Sequence, residues 1–147
     1  MDRRSVLRAL GGALVAAVAL PKMAWAAWSK EAFDAKESTA AMENLFGTAD
    51  VTSSEKVKLK APDIAENGAV VPLEVSTDMD AEQIAIFIDK NPTPLAISAT
   101  MGAGAAGLVK TRVRMGETSN VVAVVKSGGK LYSANQEVKV TIGGCGG

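Results

Sequence analysis

An all-β fold, an antiparallel β-sandwich behind a short N-terminal helix, is what this 147-residue sequence predicts. Three observations point there. Short alternating or continuous apolar runs recur between Lys56 and Ile142, about seven or eight of them at fairly regular spacing. Turn-forming pairs such as Asn67-Gly68 and Gly128-Gly129 punctuate them. No helical pattern separates the strands, which argues against a βαβ architecture.

Composition narrows the function. The chain has 16 basic and 16 acidic residues, no histidine and a single cysteine. Without histidine, this chain alone cannot build a Ser-His-Asp triad, a Cys-His pair or a His-ligated metal site. One cysteine excludes an internal disulfide, a CxxC pair and a thiolate zinc site. No cofactor or metal ligand set is expected. The balanced charge argues against a nucleic-acid partner, and 48% hydrophobic residues suit a packed domain.

Residues 1–26 read as a cleaved signal peptide. Arg3, Arg4 and Arg8 head an apolar stretch over 9–20, followed by Pro21, Lys22 and Ala24-Trp25-Ala26. Twelve residues make a helix of only about 18 Å, short of a roughly 30 Å hydrocarbon core, so no stable membrane anchor is expected. Cleavage is expected after Ala26, with Ala27 a near alternative. The paired arginines resemble the twin-arginine (Tat) export motif, although Asp2 and Val6 depart from its usual residues. Tat carries folded proteins, and with no cofactor ligands in view an early-bound partner explains that route. The mature chain would hold 12 basic and 15 acidic residues, a net charge of −3.

The segment 27–47 is expected to be helical. Ala41, Met42, Leu45 and Phe46 fall at helical spacing, and Gly47 stops the run. Trp28 and Phe33 would pack on the chain's own core or on a partner. The sandwich is expected over 48–142. Val57 and Leu59 alternate with Lys56, Lys58 and Lys60. Asn67-Gly68 turns into Ala69–Val75, where Pro72 implies a sheet edge or a bulge. Ile84, Ile86 and Ile88 lie opposite Ala85 and Phe87, so Gln83–Ile88 reads as a central strand. The segment Asn91-Pro92-Thr93-Pro94 interrupts the chain. Leu95, Ile97 and Ala99 mark the next strand, and Gly102–Gly107 a flexible loop. Val109, Thr111, Val113 and Met115 alternate with a basic stripe, Lys110, Arg112 and Arg114, which suits a solvated face, a small anion or an acidic partner. Val121–Val125 reads as a buried run. Ser127-Gly128-Gly129 turns the chain, and Val138, Val140 and Ile142 form the last strand.

The carboxy terminus, 143–147, is Gly143-Gly144-Cys145-Gly146-Gly147 and holds four of the 14 glycines. Glycine lacks a Cβ, so such a segment is thin and conformationally free, and nothing in it anchors the end to a core. Ordering it would cost roughly 1–2 kcal/mol per residue. Three residues past Ile142 reach at most about 10 Å, enough to enter a narrow cleft in another protein. An unassisted thiol has a pKa of about 8.5 and is mostly protonated at neutral pH. Cys145 is therefore read as a handle on a mobile arm rather than a catalyst. Interchain disulfide use and an incidental thiol are the competing readings.

The ending Ile142-Gly143-Gly144-Cys145-Gly146-Gly147 resembles the C-terminal motif of the SoxY family, sulfur carriers of the bacterial Sox thiosulfate-oxidising system. Leu45-Phe46-Gly47, Ala61-Pro62-Asp63-Ile64-Ala65-Glu66-Asn67-Gly68, Val71-Pro72-Leu73-Glu74-Val75, Asn91-Pro92 and the leader agree with it in order. The resemblance implies an immunoglobulin-like sandwich and a periplasmic location. It implies SoxZ as heterodimer partner, and covalent attachment of sulfur to Cys145 by a carrier that is not itself an enzyme. In such a system SoxAX couples thiosulfate to the carrier sulfur. SoxB hydrolyses off the sulfonate as sulfate, and SoxCD, where present, oxidises the remaining sulfane sulfur.

Three other functions compete. Cytosolic carriers ending in Gly-Gly load sulfur on a terminal carboxylate, which Gly146-Gly147 would satisfy formally. A non-catalytic envelope adaptor would use Cys145 for interchain crosslinking. An independent thiol enzyme is disfavoured by the missing base.

Overall fold

The computed structural model describes residues 29–141. The expected signal peptide, Trp28, Ile142 and the glycine-cysteine tail lie outside the described residues. From Glu31 onward the described residues belong to one compact unit.

The expected helical segment is two pieces, α1 (Lys30–Asp34) and α2 (Ser38–Phe46). Gly47 ends α2 in the left-handed conformation, φ 80°, and its N–H donates to the Glu43 carbonyl. That backbone position favours glycine. Ala32, Ala41 and Met42 are buried, and Phe33, Leu45 and Phe46 pack beside them. Phe33 thus packs on the chain's own body.

Nine strands follow among the described residues: β1 (Thr52–Ser53), β2 (Val57–Lys60), β3 (Ile64–Ala65), β4 (Val71–Thr77), β5 (Gln83–Ile88), β6 (Leu95–Thr100), β7 (Leu108–Val113), β8 (Ser119–Ser127) and β9 (Lys130–Val140). One sheet runs β1-β9-β8-β5-β6, with β3 also on β9; the other is β2-β4-β7. The fold is all-β, two sheets enclosing an apolar core. Val71, Leu73 and Val75 of β4 meet Ile84, Ile86 and Ile88 of β5, together with Val121, Ala123 and Val125 of β8.

Strand β5 is buried on both faces. Its isoleucines enter the sandwich core, while Ala85 and Phe87 join Val124 and Leu131 beneath the helices. A continuous apolar run is what burial on both sides requires. Each such large side chain contributes about 1.5–3 kcal/mol on burial.

Four details differ from the sequence-based expectation. First, β1 and β3 pair with β9 in parallel, Thr52 with Tyr132 and Ile64 with Lys139. Two-residue strands are too short to show a period. Second, β4 is the central strand of its sheet rather than an edge. Pro72 is nevertheless tolerated because β2 reaches only as far as the Lys60–Glu74 pair, which leaves Pro72 a neighbour in β7 alone. Third, Leu95 and Ile97 do not share a face. The β5–β6 register shifts between Ile86 and Phe87, so that Leu95 lies opposite Phe87 and Ile97 opposite Ile86. An extra residue in one strand reverses which face its side chains take. Fourth, the Gly102–Gly107 loop is pinned at its end. The Thr77 N–H donates to the Gly107 carbonyl at 2.8 Å, and a Cβ on Gly107 would strike Thr77.

The turn between β8 and β9 has both glycines at positive φ, 58° for Gly128 and 75° for Gly129, which suits a tight two-residue hairpin.

Candidate functional site: the root of the carboxy-terminal segment and the basic groove

The expected site residues Gly143, Gly144, Cys145, Gly146 and Gly147 lie outside the described residues. What the structure describes is the platform from which they leave. The end of β9 is held on several sides. The Lys139 N–H donates to the Asp63 carbonyl at 3.0 Å, and the Thr141 N–H to the Ala65 carbonyl at 3.2 Å. On the other edge, the Val140 N–H donates to Thr118 Oγ1 at 2.9 Å.

A third clamp comes from the Asn67-Gly68 turn. The Met115 N–H donates to the Gly68 carbonyl at 2.7 Å, and Gly68 lies so close to Met115 and Val140 that a side chain there would collide with both. Gln136 Nε2 reaches the Ala61 carbonyl at 3.0 Å and Asp63 Oδ1 at 3.1 Å, which ties the approach to β3 onto β9. The segment after Thr141 therefore starts from a fixed point. Nearby on the chain, Ile64 on β3 and Val70 before β4 are 57% and 50% exposed, the two most exposed large apolar residues described.

The basic stripe behaves as its alternation implies. Lys110, Arg112 and Arg114 are exposed, while Val113 and Met115 are buried. The pairing adds what periodicity could not. Lys60, Glu74 and Lys110 lie in one cross-strand row, and Pro72 lies opposite Arg112. These side chains and Pro62 line an open groove of about 750 Å³ on the outer face of the three-stranded sheet. Lys110 Nζ sits 3.3 Å from the Glu74 carboxylate. Among the described residues, no ion pair or hydrogen bond engages the side chains of Lys60 or Arg112. An opening with three cations and one carboxylate is electropositive and attracts anions. In the sequence Lys110 and Arg112 stand on one strand and Lys60 on another, and no local pattern joins them.

Among the described residues no cluster of three metal-ligating side chains assembles, and no helix is long and apolar enough to cross a membrane.

The family described as sulfur oxidation protein SoxY matches residues 42–145. Among solved structures, the chain is similar to the sulfur carrier protein SoxY from Chlorobium limicola f thiosulfatophilum. The two are 44% identical with a TM-score of 0.63, over 69% of this chain and 94% of that one. An engineered protein is also similar at 11% identity and a TM-score of 0.40, over 58% of this chain and 20% of that one, too distant to inform the fold. A search of curated proteins returned no match.

Proposed function

The chain belongs to the SoxY family of sulfur oxidation proteins, and from that premise we propose that it carries sulfur intermediates of thiosulfate oxidation on the thiol of Cys145. The observation that supports this reading most directly is the extent of the family match. It runs from α2 through the whole sandwich and ends at the only cysteine in the chain. Gly143, Gly144, Gly146 and Gly147 give that thiol a thin arm free of side chains, suited to entering the clefts of separate enzymes. The clamped end of β9 gives the arm a fixed origin.

On this reading the chain is a carrier rather than an enzyme. Reversible S–S chemistry loads and unloads it, with partner enzymes supplying the redox steps and the hydrolysis. The partners follow from the family: SoxZ as heterodimer partner, then SoxAX, SoxB and, where present, SoxCD. The two-sheet body is in keeping with an immunoglobulin-like sandwich. Residues 1–26 are proposed to direct Tat export to the periplasm before removal.

The test is intact-protein mass spectrometry after incubation with thiosulfate and the partner enzymes. Adducts are expected on the C-terminal peptide, and Cys145→Ser is expected to abolish them together with thiosulfate turnover. Turnover that survives Cys145→Ser would sink the carrier reading and favour an envelope adaptor that uses the cysteine for interchain crosslinking.

A further inference from the structure

We propose that Thr118 is a positioning residue for the carrier reaction: its hydroxyl, on a loop that Asn91 braces, holds the end of β9 and so sets how the arm presents Cys145 to the enzymes that act on its cargo. The inference deepens the carrier reading and rests on it.

Val138 is the last residue of β9 with a partner in β8, and that partner is Ser119, where β8 begins. Beyond it the Lys139 and Thr141 N–H groups face the other edge and bond the Asp63 and Ala65 carbonyls. The Val140 N–H lies between them and faces the β8 edge, past the start of that strand. Thr118 Oγ1 accepts it there at 2.9 Å. A side chain thus stands in for a ladder carbonyl at the last hold on that edge before the arm. One substitution can remove this hold and leave the backbone pairing intact.

Thr118 is itself fixed from both sides. Asn91, just after β5, uses both atoms of its amide on the loop between β7 and β8. Its Nδ2 donates to the Arg114 carbonyl at 2.7 Å, and its Oδ1 accepts the Gly116 N–H at 3.2 Å. Between these two, Met115 is buried and its N–H donates to the Gly68 carbonyl at 2.7 Å. After Thr118, the buried Ser119 offers its hydroxyl to the Lys90 N–H at 3.0 Å. The exposed Lys90–Glu117 ion pair, 3.9 Å apart, adds little.

The hold bears on transfer through the length and aim of the arm. Cys145 is four residues past Thr141, which is about 14 Å when extended. Fraying at Val140 would lengthen the arm, and each freed residue must be ordered again when the arm enters a cleft. The penalty cannot exceed the strength of the hold. One neutral hydrogen bond therefore limits the fall in kcat/KM at a partner enzyme to roughly two- to tenfold.

The experiment compares Thr118→Val, which keeps the shape and removes the acceptor, with Thr118→Ser, which keeps the hydroxyl. Each full chain is purified with its heterodimer partner and loaded with tetrathionate. The Cys145 thiolate attacks a sulfane sulfur, the central S–S bond breaks, and thiosulfate leaves with the electron pair, giving the cysteine S-thiosulfonate. Thr118→Val is expected to quicken amide exchange at Val140 and to lower kcat/KM for sulfate release by the partner hydrolase. Cargo release by a small thiol should stay at the wild-type rate, and Thr118→Ser should behave as wild type in all three. Asn91→Ala, which leaves Thr118 in place, is expected to act in the same direction and decides the matter if Thr118→Val does not fold. A folded Thr118→Val with a lower denaturant midpoint but unchanged hydrolase kcat/KM has lost only a structural contact, which overturns the positioning role and leaves the carrier reading standing. Equal losses in Thr118→Val and Thr118→Ser overturn it as well. A wild-type chain that takes no adduct on Cys145 overturns the carrier reading and this inference with it.

Discussion

Gly68 shows how one residue can be read correctly for an incomplete reason. In sequence, Asn67-Gly68 marks a turn, and a turn is present: the Ala69 N–H bonds Asn67 Oδ1 and the Val70 N–H bonds the Asn67 carbonyl. Gly68 is not among the glycines at positive φ, so conformational freedom is not what selects it. Space is: a Cβ would meet the Met115 carbonyl and Val140 Cγ1. Gly68→Ala is expected to cost about 1–3 kcal/mol, the usual range for overpacking. Urea denaturation checks the loss. Because Val140 is the last strand residue before the tail, amide exchange at Val140 and Thr141 should quicken more than in the β8–β9 hairpin.

At the scale of elements, β5 is the strand on which both apolar layers depend. The alternation of three isoleucines with Ala85 and Phe87 was legible because each face meets a different neighbour: the second sheet on one side, α1 and α2 on the other. Phe87→Ala should cost about 3–5 kcal/mol, seen as a lower denaturant midpoint, with the helical segment losing amide protection before the sandwich core. Ile84→Val, on the other face, should cost about 0.5–1.5 kcal/mol and leave that order unchanged. The β6 bulge was not legible. Alternation assumes one register, and the shift at Ile86/Phe87 is decided by what lies across the strand. Pro72 misled in a related way. A missing N–H excludes a two-sided neighbour at that residue, and β4 supplies this by outrunning β2 rather than by lying at the edge.

For the whole molecule, the carrier reading makes Cys145 an accessible lone thiol. Oxidation of the isolated chain is therefore expected to give disulfide-linked dimers that reductant removes, read on a non-reducing gel, and Cys145→Ser should give none. A chain that stays monomeric through prolonged oxidation would count against an accessible thiol. Charge is likewise distributed at this scale. The mature chain would be net negative, yet Lys60, Lys110 and Arg112 gather around one opening.

By itself the sequence determined the all-β class, the strand buried on both faces, the glycine stop after α2, and a lone cysteine among glycines in its last five residues. All of these follow from local periodicity or from residue chemistry. Tertiary structure alone decided that Lys60 and Arg112 line one groove, that β1 and β3 join β9 in parallel, and that the end of β9 is clamped by Ala65, Gly68 and Thr118. These depend on pairing between residues distant along the chain, and register is selected by the packing of whole faces rather than by any residue's own preference.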